Sequence, residues 1–163
     1  MDDFIPVLNE VNQGRSCEKG KAAFAAAQCF QCHRFGNEGG AVGPDLTAAA
    51  NRFSRRDMLE SILLPSKAIG EKFQNTILTK KNGDDVTGLI VYETAEKVTI
   101  ITDPITTQRR DVKKSEIESR RISQLSPMPD GLVDTLTRED ILDLLAYLES
   151  GGKKDAPAFV AVK

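Results

Sequence analysis

The residues able to do chemistry in this 163-residue chain gather in one place. Cys29, Cys32 and the chain's single histidine, His33, fall within the stretch "AAQCFQCHRFGNEGG". Three chemistries use such a set. Two thiols spaced by two residues on one helical turn reach the two vinyl groups of a porphyrin, and a histidine directly after them faces its iron; this is the pattern of covalent haem attachment. Cys17, Cys29, Cys32 and His33 also make a numerically complete Cys₃His zinc set. Against it, the adjacent Cys32 and His33 would both have to ligate one tetrahedral ion, and no second ligand doublet exists. A redox dithiol wants its Cys-x-x-Cys at a helix N-terminus following a strand. Here the pair is expected at the far end of a helix.

A haem iron held by His33 needs a sixth ligand or an open position. With no second histidine, methionine is the natural donor, and the chain has three. Met1 is terminal. Met58 lies on an apolar helical stripe and reads as core packing. Met128 sits in "SPMPDG", between two prolines that limit the loop's freedom and keep the sulfur in place.

Several elements must position these residues. Ser16 is a helix N-cap, Glu18 suits the positive helix end and "KAAFAAA" is strong helix former, predicting a helix from Ser16 to about Cys32. Gly36, Gly39, Gly40, Gly43 and Pro44 then break the chain into a loop. A second helix starts at Ser54 with a capping-box-like "SRRD"; Met58, Leu59, Ile62 and Leu63 share a face and Pro65 ends it. From about Gly70 to Leu125 the period becomes that of strands. "FQNTILTKK", "DVTGLIVYE", "KVTIITD", "TTQRRDVKK" and "IESRRIS" predict an antiparallel sheet of four or five strands, with Asn82-Gly83 as the strongest hairpin signal. Thr137 with Asp140 caps a final helix, whose stripe is Ile141, Leu144, Leu145 and Leu148.

These segments, taken in order, resemble the class I c-type cytochromes. "EKGKAAFAAAQCFQCH" resembles their N-terminal helix, with Gly20 and Phe24 at the helix-crossing positions. "GPDL" resembles the loop whose proline carbonyl holds the proximal histidine, here Gly43, Pro44 and Leu46, and "DLLAYLES" resembles their C-terminal helix with Tyr147 at its aromatic position. Met128 falls where the family's distal methionine falls. The whole run "GPDLT…RFSRRDMLESILLPSKAI…SPMPDGL…LTREDILDLLAYL" looks like the haem-binding domain at the C-termini of large planctomycete and verrucomicrobial proteins. The resemblance implies a mainly α fold of three helices around one covalently bound haem c, with an inserted small antiparallel sheet. It divides the chain into a discontinuous core, 14–68 and 125–151, a β-rich insertion, 69–124, and terminal segments or linkers, 1–13 and 152–163. Arg52, Arg55 and Arg56 become the candidates for contact with the haem propionates, since Arg suits bidentate carboxylate binding. Cys17 is then left as a small apolar helix residue.

The function this resemblance implies is one-electron transfer rather than catalysis, with His33 and Met128 as axial ligands and Cys29 and Cys32 as attachment points. The partner would be a redox protein or a dehydrogenase-like module fused to the same exported, periplasmic chain. A displaceable Met128 would instead make a small-ligand sensor or catalyst. The bulk properties limit other classes. Net charge is -2 and charged residues are 28%, so no global basic field calls for nucleic acid. No apolar run approaches the roughly 20 residues of a membrane span. The N-terminus is acidic where a secretory leader is basic, so either the protein stays in the cytoplasm or, as the resemblance implies, the chain is a domain excised from a longer exported one. In the sheet, Arg109, Arg110, Lys113, Lys114, Arg120 and Arg121 could dock an acidic partner, but the interleaved Asp111, Glu116 and Glu118 predict a mixed solvated face.

Overall fold

The computed structural model describes residues 3–160; Met1 and the outermost ends of the two terminal segments lie outside that range. Two compact units form: one from the stretch up to Pro65 together with the stretch from Asp130 onward, the other from Ser66–Pro129.

The first unit is helical. Ser16 caps α1 (Cys17–Ala26) by accepting the Lys19 N–H. The expected single helix to Cys32 does not form. Gln28 takes a left-handed conformation, with φ of 57°, and a separate turn, α2 (Cys29–Cys32), starts after it. The Cys-x-x-Cys therefore occupies its own turn and does not end a longer helix. A two-stranded ribbon follows, β1 (Arg34–Phe35) and β2 (Glu38–Gly39). Reciprocal capping boxes, Ser54 with Asp57 and Thr137 with Asp140, open α3 (Arg55–Leu63) and α4 (Arg138–Glu149). The core packs α1 against α4 around Phe24, Leu59, Leu142, Leu144 and Leu145, all fully buried. Met58 is buried there too, at 6% exposure, as core packing requires.

The terminal segments are not linkers. The 3₁₀ stretch Ile5–Asn12 buries Val11 completely. Phe4, Val7, Leu8, Ala158 and Phe159 pack on the same core. The Arg15 N–H donates to the Ala158 carbonyl at 2.9 Å, tying the two ends together. Their scattered apolar residues carry no clear period, so the sequence reads them as linker.

The second unit contains the five predicted strands: β3 (Thr76–Lys80), β4 (Asp85–Glu93), β5 (Lys97–Asp103), β6 (Gln108–Lys113) and β7 (Ile117–Ile122). All pairs are antiparallel, in the order β6-β5-β4-β3-β7. Helix accounts for 35% of the molecule and strand for 23%, so "mainly α" describes only the first unit.

This sheet cannot be flat. β6 and β7 lie at opposite ends of the strand order, and flat strands about 4.8 Å apart would hold them about 19 Å apart. Only the 3₁₀ turn Lys114–Glu116 joins them, and at about 2 Å rise per residue it spans about 8 Å. The strands therefore curl into a partly open barrel. β4 makes the bend: its first half, to Gly88, pairs with β3, and its second half, from Leu89, pairs with β5. The core inside is Leu78, Val86, Val98, Ile100 and Val112. Across it, Glu93 of β4 accepts Arg120 of β7 at 3.1 and 3.2 Å and meets Lys114 Nζ at 2.8 Å.

The Arg120 and Lys114 hydrogen bonds pull the Glu93 carboxyl down from 4.5 to about 2. A depressed carboxylate pKa adds stability that is complete above the ordinary value and disappears as the pH falls through the folded one. The side chain is about a third exposed, so water screens the gain to a modest one. Urea midpoints of the chain and its Glu93→Gln variant should differ at pH 7 and converge between pH about 4.5 and about 2. A gap that stays constant down to the lowest pH would refute the pairing.

Candidate functional site

Cys29, Cys32 and His33 are all half-buried, and none of the cysteines is in a disulfide. The left-handed Gln28 starts α2 where it does, and α2 then places the two cysteines three residues apart on one turn, on the same side. The glycine-rich loop runs back along this turn. Gly40 donates its N–H to the Phe30 carbonyl at 2.8 Å, Gly43 to the Cys32 carbonyl at 2.8 Å and Leu46 to the Arg34 carbonyl at 2.9 Å. His33 Nδ1 lies 2.8 Å from the Pro44 carbonyl oxygen. That carbonyl can only accept, so the proton sits on Nδ1 and Nε2 keeps its lone pair for a metal. A Cβ at Gly43 would come within 2.8 Å of the imidazole Cε1 and 2.9 Å of Nδ1, so the bare backbone lies directly against the ring.

The electrostatics suit a ligand. Burial lowers the His33 pKa, and the Pro44 bond opposes that shift only in part, so the ring is neutral at pH 7. Burial pushes the Cys29 thiol up to about 12. A reactive dithiol uses the opposite shift. Among the described residues, no three His, Cys, Asp or Glu side chains are grouped to hold a metal ion. Cys17 opens α1 with its Sγ 4.0 Å from the Gly152 carbonyl, and it packs against the helical core.

The predicted residues separate into groups. Cys29, Cys32, His33, Gly43 and Pro44 form the turn and loop just described, with Leu46 half-buried on the helical core. Gly20, Phe24 and Tyr147 form the α1–α4 crossing. A Cβ on Gly20 would lie 2.6 Å from Tyr147 Cβ, and the Phe24 ring stands 5.9 Å from Tyr147 and 4.4 Å, edge-on, from Phe30. Arg52 donates to the Asp45 carbonyl at 2.9 Å, inside the "GPDL" loop. Arg56 is exposed at the start of α3.

Arg55 is engaged within the helical unit. Its Nε and Nη2 grip Glu149 at 2.6 and 2.7 Å, Nη1 donates to the Leu8 carbonyl at 2.6 Å, and Nη2 also reaches Asn12 at 2.9 Å. It ties α3 and the N-terminal 3₁₀ stretch to the end of α4, and four of its five N–H donors are used there. Met128 belongs to the last residues of the second unit, half-buried, with its N–H donating to Ser126 Oγ at 3.1 Å.

Sequence reasoning missed Phe30, which stacks edge-on against Phe24, and Thr47, whose Oγ1 accepts the Gly36 N–H at 2.9 Å and fixes the loop. The Asp-x-Thr spacing after Pro44 was the available signal: Asp45 Oδ1 takes the Thr47 N–H at 2.8 Å, an Asx turn.

The donor set fits a covalently held haem: two thiols on one turn, an imidazole with Nδ1 anchored and Nε2 available, and the half-buried apolar side chains Phe30 and Leu46. No curated protein matches the chain. Residues 17–92 match the family model described as Cytochrome c. That match spans the Cys-x-x-Cys-His, the histidine-holding loop and α3, and it ends within β4. The segment is similar to a c-type cytochrome, and the match supports a haem-binding electron-transfer domain with one covalently bound haem c.

Proposed function

We propose that this domain carries one electron at a time with His33 and Met128 as axial ligands, and that Cys29 and Cys32 hold the haem through thioether bonds. The observation that carries the reading is His33 Nδ1 at 2.8 Å from the Pro44 carbonyl on a loop laced to the Cys-x-x-Cys turn. Haem c supplies the Fe(III)/Fe(II) couple. His33 presents Nε2 in one orientation, because Pro44 fixes its tautomer and the Gly43 backbone supports its face. The Pro44 bond also raises imidazole basicity. Met128 offers a neutral thioether, which favours the reduced state. The prolines on both sides limit its loop, and its N–H is tied to Ser126. Arg52 or Arg56 is the remaining partner for a propionate.

The fold in this reading is a cytochrome c core, 14–68 with 125–151, interrupted by the 69–124 sheet as an insertion. The domain serves a redox partner or a dehydrogenase-like module of a larger exported protein of the planctomycete and verrucomicrobial type. A six-coordinate iron has no open site, which favours a carrier over an enzyme. Among the described residues no helix is long and apolar enough to cross a membrane.

The test is spectroscopic. Made in a haem-maturing, export-competent host, the protein should keep its haem through acid–acetone extraction and show the weak far-red ferric band of thioether ligation. Met128→Ala should abolish the band, lower the reduction potential and open the ferrous iron to carbon monoxide, whereas Met58→Ala should keep all three. The reverse pattern, or rapid carbon monoxide binding by the unaltered protein, would transfer the reading to a displaceable ligand and a sensor or catalyst.

A further inference from the structure

The basic residues Arg109, Arg110, Lys113, Lys114, Arg120 and Arg121 do not form one face. Lys114 and Arg120 are taken by Glu93, and Arg121 by Asp85 at 2.9 Å. Arg109, Arg110 and Lys113 make no ion pair among the described residues and are all exposed. These three unmatched cations share one strand, β6, and β6 is an edge of the sheet.

The ladder shows which main-chain groups that edge offers. Lys97 turns its N–H and C=O toward Thr94, and the Lys114 N–H bonds the Glu96 carbonyl at 2.8 Å. Antiparallel pairs alternate between bonded and non-bonded. Lys97–Lys113, Thr99–Asp111 and Ile101–Arg109 are therefore non-bonded pairs, and the N–H and C=O of Arg109 and Asp111 and the N–H of Lys113 point outward, while the Lys113 carbonyl is taken by the 3₁₀ turn that it caps. The side chains of the same three residues share one face, because side chains alternate along a strand. Asp111 is already tied to Lys97 and Thr99. That face thus presents a cation, a neutralised carboxylate and a cation. An open hollow lined by Ala95, Glu96, Lys97, Lys113, Lys114 and Ser115 continues it past the end of the strand, with three lysines against one carboxylate.

We propose that the β6 edge binds an extended acidic segment of a partner protein, added as a further strand of the barrel. Main-chain bonds to Arg109, Asp111 and Lys113 hold the segment, and its carboxylates meet Arg109 and Lys113. The matching pattern has acidic residues four apart on one face and an uncharged residue midway, opposite Asp111. A second copy of this chain does not fit, since pairing β6 with β6 sets cations against cations. Edge strands that carry unneutralised charge on otherwise regular ladders also resist self-association, so the edge is available to a partner of opposite sign.

The probe is the acetylated, amidated peptide Thr-Glu-Val-Thr-Val-Glu-Thr, titrated into the haem-loaded full chain at low salt. It should bind with an affinity that falls as salt rises, and the amides of Arg109, Asp111 and Lys113 should gain protection from hydrogen exchange. Replacing both glutamates of the peptide with glutamine, or Arg109→Glu with Lys113→Glu in the protein, should weaken binding about tenfold or more. Lys81→Glu, on the β3–β4 turn, should leave it unchanged. The proposal is overturned by absence of binding, by equal binding of the glutamine peptide, by binding without protection of those three amides, or by a stronger response to an oligonucleotide or to anionic vesicles.

Discussion

Gly20→Val is expected to unfold the helical unit. A Cβ at this position would overlap the Asp143 carbonyl oxygen and lie 2.6 Å from Tyr147 Cβ, both on α4. Neither neighbour can yield cheaply, because one is helix backbone and the other is the root of a fully packed ring. α1 and α4 would have to separate by about 1 Å along a crossing that buries Phe24, Leu144 and Leu145. Overpacking of this kind costs about 3 kcal/mol, a large share of the 5–15 kcal/mol that typically holds a domain together. Alanine at the same place regains about 1 kcal/mol of helix propensity and should cost less. Thermal unfolding followed by near-ultraviolet dichroism of the Phe24–Phe35–Tyr147 cluster measures both variants. A Gly20→Val protein that melts with the parent would refute the crossing.

Gly88→Val should have as large an effect on the barrel. Here the added Cβ would overlap the Ile101 carbonyl oxygen, with the carbonyl carbon at 2.7 Å and Ile100 Cγ1 at 3.0 Å. The obstacle is again backbone, now of β5, at the residue where β4 passes from one partner to the other. A sheet bends tightly where a glycine lets another strand approach. A core as small as Leu78, Val86, Val98, Ile100 and Val112 supplies only about 3–5 kcal/mol, so a loss of about 3 kcal/mol leaves little folded population. Hydrogen exchange at the amides of Leu78, Val98 and Ile100 reads this directly. Thr87→Val, one residue earlier and exposed, is the control that should keep its protection.

Local features of this fold were legible in the sequence. Ser16, Ser54 and Thr137 cap helices as their types require, and each strand of the five-stranded sheet falls within one of the five segments read as strands. The features that stayed hidden depend on distant partners. Nothing in "AAAQCF" marks the break at Gln28, since a left-handed glutamine is set by how the Cys-x-x-Cys turn packs. Arg55 looked like one more cation at a solvated helix start; its partners Glu149, Leu8 and Asn12 come from both ends of the chain. The curl of the sheet rests on β3 pairing with β7 across more than thirty intervening residues, and alternation within a strand carries no record of that. At the site, the Cys-x-x-Cys-His and its loop were visible as a motif. The raised Cys29 pKa needed the burial that only the fold supplies.

The hydrogen bonds from Ser126 N–H to Ser66 Oγ, at 3.1 Å, and from Ser123 N–H to the Asn75 carbonyl, at 2.8 Å, set the start and finish of the second unit side by side. This bears on the order of folding. The helical unit is assembled from two pieces of chain, and its α1–α4 core requires them to meet across everything between. Closing that span while it is unstructured costs conformational entropy that grows with the logarithm of its length. If the barrel forms first, those sixty-odd residues behave as a short bridge and the closure becomes cheaper by about 2 kcal/mol. The sheet would then act as a clasp during synthesis, setting how fast α4 finds α1, and slowing the barrel by mutation should slow the helices too.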